Sequence, residues 1–426
     1  MKKAIILLFI GVCFLSAGTV SAFDGLNEVE IHGFVSQGYM QSTDYNYSGL
    51  KTKDGSFEFN EMGINFSTSP TESLRIGAQL FARDYGELGN DGIEVDWAYG
   101  DYRVNNHLGI RAGKVKIALG LYNEVRDIDA VRTAVVLPNA IYVEQNRDVY
   151  AGIKGVGIYG ELPGGFSYQA AYGVGMVSDE SNLLRDLTTI LNDRLQTGYF
   201  AVGGSTAADL VSVGDPTSVN THNTQNAQLQ WAPRFVEGLR LCGSWLFTEI
   251  DMSVDVTTPV FNFATMSWEA GPLNREEITV EHLSSVVGSI EYIFGETVLS
   301  AEYNIIRVDI DQFQGLDVPT TEVHGWAVSA SHRFTEWFEL GAYYSDWNTN
   351  VRDRDGKDFE ELLGNRHREE RWLRDTCLTF RFDLNENWIF KTEGHYMSGL
   401  DDVDFGDDPN PDPHWFLFAG KISYNF

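Results

Sequence analysis

The sequence predicts an all-β protein, a transmembrane antiparallel β-barrel of sixteen strands with its third long loop folded inward. Three observations predict it. In the last segment Phe416, Phe418, Ile422, Tyr424 and Phe426 fall on one face of a strand, and Ala419, Lys421, Ser423 and Asn425 on the other. A strand with one apolar and one polar face needs a partner strand and an apolar medium, which a closed barrel in a bilayer supplies. The preceding chain divides into alternating segments joined in turn by very short and much longer connections. Finally, the N-terminus reads as an export signal.

That signal comprises Met1-Lys2-Lys3, an apolar run from Ala4 to Leu15, and the small-residue site Val20-Ser21-Ala22 before Phe23. Residues 1–22 are therefore expected to be cleaved, leaving 23–426 as one domain. Cys13 follows Val12 rather than a small residue, so a lipid anchor is not expected. Cleavage removes Lys2 and Lys3 and no acid, moving the net charge from −30 to −32. So acidic a chain excludes nucleic acid as a partner. The mature sequence offers no run of roughly 18 apolar residues for a spanning helix. Aromatic content of 13% and 42 glycines suit interfacial girdles and close strand packing. Cys242 and Cys377 lie in strands far apart in order and read as isolated thiols.

Strands are expected at 29–40, 57–68, 73–84, 93–104, 107–116, 150–162, 165–177, 222–232, 238–251, 278–293, 297–310, 322–334, 337–348, 372–384, 387–398 and 414–426. The number is even, as a single-chain barrel with both termini on the periplasmic side requires. Within them Leu74, Ile76, Ala78, Leu80 and Ala82 alternate with Arg75, Gly77, Gln79, Phe81 and Arg83. Ile93, Val95, Trp97 and Tyr99 alternate with Glu94, Asp96, Ala98 and Gly100, and Leu299, Ala301, Tyr303 and Ile305 oppose Ser300, Glu302 and Asn304. Short connections such as Asn105-Asn106, Leu162 to Gly165 and Gly295-Glu296 carry turn chemistry. Long ones span 117–149, 178–221, 252–277, 349–371 and 399–413.

Two long connections have their own signals. Leu183, Leu184, Leu187, Ile190 and Leu191 recur at helical spacing, predicting a helix over 180–195 that packs on the barrel rim. The run from Asp401 to Asp412 is strongly acidic without the spacing of a calcium loop, and reads as a solvated loop. No Gly-x-Ser-x-Gly elbow and no His-Glu-x-x-His motif occurs, and the histidines are scattered. His395, beside Lys391 and Glu393, is the best catalytic candidate, and the polarity of an inner wall explains it better. An enzyme is not expected, and no metal or cofactor is indicated.

Side chains alone do not fill a sixteen-stranded barrel, so its lumen becomes an aqueous channel unless something folds in. The candidate is 117–149, where Ile117, Leu119, Leu121, Val135, Val136, Leu137 and Ile141 interleave with charges. Opposed charges across a constriction would filter ions. Arg111, Lys114, Lys116, Arg126 and Arg132 are the expected cationic side, and Glu94, Asp96, Asp127 and Asp129 the acidic side. Structural salt bridges fixing the loop are the competing reading of the same residues.

The run Gly109-Ile-Arg-Ala-Gly113-Lys114-Val-Lys116-Ile-Ala-Leu-Gly120-Leu, preceded by Asp96-Trp97-Ala-Tyr99-Gly-Asp101-Tyr102, resembles the phosphate-selective porin O and P family. Members carry a strand ending in Gly-x-Lys-x-Pro-Phe-Gly before the inward loop. The resemblance implies a homotrimeric sixteen-stranded porin in the bacterial outer membrane. Its partners would be membrane lipid, lipopolysaccharide and small hydrophilic solutes or ions. Ala118-Leu119 replace the Pro-Phe of the pattern, and the chain is more acidic than an anion channel calls for.

Overall fold

The computed structural model describes residues 29–177, 181–310, 312–363, 366–406 and 408–426. The expected signal segment, 1–22, lies outside them. Sixteen antiparallel strands close into one barrel. They are β1 (Glu30–Ser42), β2 (Phe59–Thr71), β3 (Leu74–Tyr85), β4 (Glu94–Asn105), β5 (Leu108–Lys116), β6 (Gly152–Leu162), β7 (Phe166–Val174) and β8 (Ser212–Trp231), followed by β9 (Leu239–Asn262), β10 (Ser267–Phe294), β11 (Thr297–Ile310), β12 (Thr321–Thr335), β13 (Phe338–Asn348), β14 (Trp372–Asp383), β15 (Trp388–Gly399) and β16 (His414–Asn425). β1 pairs with β16 from Phe34↔Asn425 to Ser42↔Leu417. Gly33 and Phe426 finish this seam by exchanging two backbone hydrogen bonds of 3.0 Å. Closure satisfies the backbone groups that lipid would leave unpaired.

The alternation read from the last segment holds in space. Trp415, Leu417, Ala419, Lys421 and Ser423 point inward and are buried, while Phe416, Phe418 and Ile422 face out. Aromatic rings gather in two outer bands. Near the short turns, Phe334, Trp337, Phe338, Phe382 and Phe390 contact one another ring to ring. Toward the loop end lie the pairs Trp326 with Tyr344 and Tyr396 with Phe416. Paired girdles of this kind flank the apolar belt of a membrane barrel.

The hairpin of β9 and β10 differs from expectation. Residues 252–277 continue the two strands instead of forming a loop, making them 24 and 28 residues long. Up to Trp245 and Phe247 the outer face of β9 is apolar; from Glu249 and Asp251 onward it is polar, and Ile250, Met252, Val254 and Val256 fill the inner face. Polarity switches faces here because the strand has risen past the apolar belt into water, while its inner side packs on protein.

That protein is helix α1 (Asn182–Ala208), longer than the expected 180–195 and broken at Gly204, whose φ is +66°. Leu184, Leu187, Leu191 and Leu195 form one fully buried stripe. They join Ile117, Leu119, Leu137 and Ile141 of the inward loop and the inner face of β9 and β10 in the largest apolar cluster among the described residues. Each leucine contributes roughly 2 kcal/mol of burial. Arg194 donates to the carbonyl of Asp317 at 2.7 Å, and Ser181 to Asp148 at 3.0 Å, fixing the helix across the loop-end mouth. Cys242 and Cys377 are free and buried.

Candidate functional site

The third long loop leaves β5 at Lys116 and crosses the lumen. Having little secondary structure of its own, it needs partners for its backbone groups, and inward side chains of the wall provide them. Asn226 on β8 accepts from the N–H of Ala118 and donates to its carbonyl, each at 2.9 Å. Ser244 and Gln228 take the N–H and carbonyl of Gly120 at 3.1 and 3.0 Å. The Tyr142 hydroxyl accepts from Leu121 N–H at 2.8 Å and donates to Glu302 on β11.

On the far side the loop meets β14 and β15. Lys391 donates to the carbonyls of Asp129 and Arg132, both at 2.7 Å, and Arg381 donates to those of Ala130 and Arg132 at 2.9 and 3.1 Å. Glu393 accepts from the N–H groups of Val135 and Val136 at 2.8 and 2.9 Å. The returning arm is tied to β3 by Arg83 and Glu144 at 3.0 Å, and to β2 by Arg147 and Glu61. Gly325 on β12 permits the closest approach, since a Cβ there would lie 2.0 Å from the carbonyl oxygen of Ala140.

The nine candidate residues divide by position. Lys116 pairs with Asp96 at 3.3 Å and Asp127 at 3.0 Å; Arg126 pairs with Glu144 at 2.6 Å and Arg132 with Asp129 at 3.0 Å. Asp129 also meets Lys421 at 3.1 Å and Lys391 at 3.6 Å. These pairs lie along the contact between loop and wall. Burial alone would raise the Asp129 carboxyl, but Lys421, Lys391 and Arg132 outweigh it and hold the group well below the usual carboxylate range. Glu144 behaves likewise, burial being overcome by Arg126, Arg147 and Arg83. Lys114 donates to the carbonyl of Val95, and Glu94 is exposed at the start of β4. Arg111 stands apart, paired with Asp101 at 3.1 Å and stacked over Tyr159 at 4.3 Å in a cavity near the short turns. Of the nine, only Arg132 lines the main inner cavity.

The loop separates two chambers of the lumen. The inner one, about 560 Å³, lies between the loop and the wall from β8 to β14. Four arginines line it, all paired: Arg132 as above, Arg240 with Glu291 at 3.0 Å, Arg333 with Glu339 at 2.8 Å, and Arg381 with Asp383 at 2.8 Å. The outer chamber, also about 560 Å³, lies beneath α1 and is lined by six carboxylates against three arginines. Leu137 and Pro138 face the inner chamber and Asn139 the outer, so one strip of loop separates them. Ala140, Val143 and Trp347 pack beside it in a small apolar cluster.

The acidic run is split by the fold. Asp401 and Asp402 turn in to line the outer chamber, with Asp402 at φ +62° and accepting from Gln145 at 2.7 Å. Burial pushes the Asp401 carboxyl up to about 7, reinforced by Asp186 nearby. Asp186 on α1 is exposed to the chamber but surrounded by protein, and this partial removal from bulk water raises it too, to about 7.

Among the described residues one trio of ligand-type side chains, Cys377, Glu393 and His395, has ligand atoms within 4.8 Å of one another. His395 Nδ1 faces both Asp375 oxygens at 3.0 Å and Nε2 faces Glu393 at 3.1 Å. Glu393 is already engaged by two loop N–H groups and by Thr379. The arrangement anchors the loop and leaves no free lone pair on Glu393 for an ion.

Alternation put Glu302 on a polar strand face, and Asn226, Ser244 and Arg240 fell within expected strands, yet nothing in the sequence distinguished them from other wall residues. Their importance comes from what the loop places opposite them.

No protein-family model and no curated protein matches the sequence. Solved structures do match in fold. The outer membrane channel DcaP of Acinetobacter baumannii aligns over 97% of this chain and 100% of its own, with a TM-score of 0.57 and 10% identity. OmpF of Salmonella typhi, in complex with daunomycin, aligns over 95% and 99%, with 0.55 and 12%. An anion-selective porin from Comamonas acidovorans aligns over 93% and 99%, with 0.51 and 10%. The likeness is one of fold.

Proposed function

We propose that the protein is a porin of the bacterial outer membrane, a water-filled channel for passive diffusion of small hydrophilic solutes or ions. The observation that carries this reading is the inward loop, which narrows the barrel yet leaves a chamber of about 560 Å³ walled by paired charges. Wall and loop charges are fixed by ion pairs before any solute arrives, giving a preorganised field rather than a mobile one.

Within this reading the nine candidates act at two levels. Arg132, with Arg240, Arg333 and Arg381, meets the solute. Lys116, Arg126, Asp96, Asp127 and Asp129 set where the loop stands and so how wide the passage is. Lys114 and Glu94 act near the loop end, Arg111 near the short turns. The short turns would face the periplasm and α1 the outside, among lipopolysaccharide. A homotrimer is part of the proposal, by resemblance to other porins.

The phosphate-selective form of the proposal draws least support, because each inner-chamber arginine already has a carboxylate partner that phosphate must displace. Excess acid in the outer chamber favours cations instead. A gated channel is the second reading, favoured by the apolar packing of α1 over the loop. Conductance of the purified protein in planar bilayers tests the proposal. Stepwise currents are expected; their absence at every voltage would end it.

A further inference from the structure

The outer chamber contains groups that lack what they need. Asp186 on α1 and Asp401 and Asp402 after β15 face the same space. Among the described residues, none of the three forms an ion pair. Asn146, from the returning arm of the loop, is nine-tenths buried and also lines the chamber. Its amide hydrogen-bonds Asp186, and its Oδ1 has no partner. Three carboxylates and a buried carbonyl oxygen are all acceptors, so what is missing is a donor carrying positive charge.

The cations already present do not supply it. Arg185 is held by Glu87 at 2.9 Å, Arg366 by Glu370 at 3.1 Å and Asp193 at 3.6 Å, and Arg371 lies 3.8 Å over the ring of Phe359. A bare metal ion fits poorly, because the ligand atoms of the three aspartates do not all come within 4.8 Å of one another. A polyatomic cation spreads its N–H groups over a wider arc and meets such a set directly.

We infer that the outer chamber binds a small organic cation, an alkylammonium or guanidinium group, between Asp186, Asp401, Asp402 and the Oδ1 of Asn146. This deepens the channel reading by naming a solute class, and binding at the site does not itself depend on conduction. The ligand enters from the loop end, and its charge offsets the mutual repulsion of the carboxylates. α1 then forms one wall of the site, so occupancy draws the helix toward the turn at Leu400 to Asp402.

Titration calorimetry of the full mature barrel in detergent at pH 8 tests this with n-butylammonium as probe and butyrate and n-butanol as controls. Butylammonium should bind saturably and the controls should not. Asp401→Asn combined with Asp402→Asn should weaken binding at least about tenfold, since two charge-assisted contacts are lost. Equal heats from butylammonium and butanol, or unchanged affinity in the double variant, would overturn the inference. If the double variant loses the heat-modifiable gel shift of a folded barrel, Asp186→Asn on α1 gives the same reading. A protein that conducts in bilayers but ignores butylammonium retains the channel and loses the site; one that binds without conducting does the reverse.

Discussion

The side-chain amide of Asn226 binds the backbone of Ala118 in both directions at 2.9 Å, reproducing on a barrel wall the exchange between paired strands. It is the first point after β5 at which β8 holds the inward loop. Asn226→Ala would leave the buried N–H and carbonyl of Ala118 unpaired, a local cost of about 2–3 kcal/mol. Hydrogen exchange of residues 118–122 should accelerate while the strands stay protected. Unchanged exchange there would mean that the loop is held elsewhere.

Lys391 grips the middle of the loop from a fully buried position on another part of the wall, supplying charge to Asp129 and protons to loop carbonyls. Lys391→Met should destabilise the barrel by about 3–5 kcal/mol, because removing one partner strands the others in a dry site. A lowered guanidinium unfolding midpoint and noisier open-channel current are the expected readouts. Wild-type values for both would refute the clamp.

Selectivity separates the two kinds of charge. Arg240→Glu places a second carboxylate beside Glu291 in the inner chamber and should move the reversal potential toward cations in a salt gradient. Lys116→Glu would instead face Asp96 and Asp127 across distances of about 3 Å, pushing the loop off the wall. That variant should alter conductance more than selectivity. A pure selectivity change in Lys116→Glu would put Lys116 in the solute path.

At Gly325 a methyl group has no room beside the carbonyl of Ala140. Gly325→Ala should displace the strip between the chambers and change single-channel conductance without altering strand content. A variant with wild-type conductance would show that this strip does not limit flow.

The mouth should respond to pH. Asp186 and Asp401 are raised from an ordinary 3.8 to about 7 by the protein that shields them from bulk water and, for Asp401, by the neighbouring Asp186. Asp402 is likewise held well above the usual carboxylate range, by burial and by both neighbours. Arg185, Arg366, Arg371, Asp193, Glu370 and Asp404 share the chamber. Between pH 3.8 and 7 the closed mouth binds more protons than an opened one, so its stability is greatest at the acid end and falls as pH rises through 7. Exchange of α1 amides, corrected for intrinsic rate, should report more opening at pH 8 than at pH 5. Equal opening at both would refute the assignment.

Alternation located all sixteen strands, because lipid outside and polar loop or water inside impose one rule along each of them. The rule failed where its cause ended. Above Phe247 the outer medium is water and the inner neighbour is α1, so Met252, Val254 and Val256 face inward and the sequence there reads as a loop. The course of the loop over 117–149 was legible in its apolar anchors, including Ile117, Leu119 and Ile141. Its contacts were not, since Asn226 lies 108 residues from Ala118 and Lys391 lies 262 from Asp129. Asp401 and Asp402 looked like the rest of an acidic run, and only the turn at φ +62° sends them inward while Asp408 and Asp412 follow the surface.

The leucine stripe of α1 imposes an order of events during assembly. Its apolar partners are contributed jointly by the inward loop and by β9 and β10, so the stripe has nothing to bury against until the cylinder is shut. The helix is therefore the last piece to settle. Until then Leu184, Leu187, Leu191 and Leu195 have no apolar cover, and the helix narrows the outer opening only once the cylinder beneath it is complete.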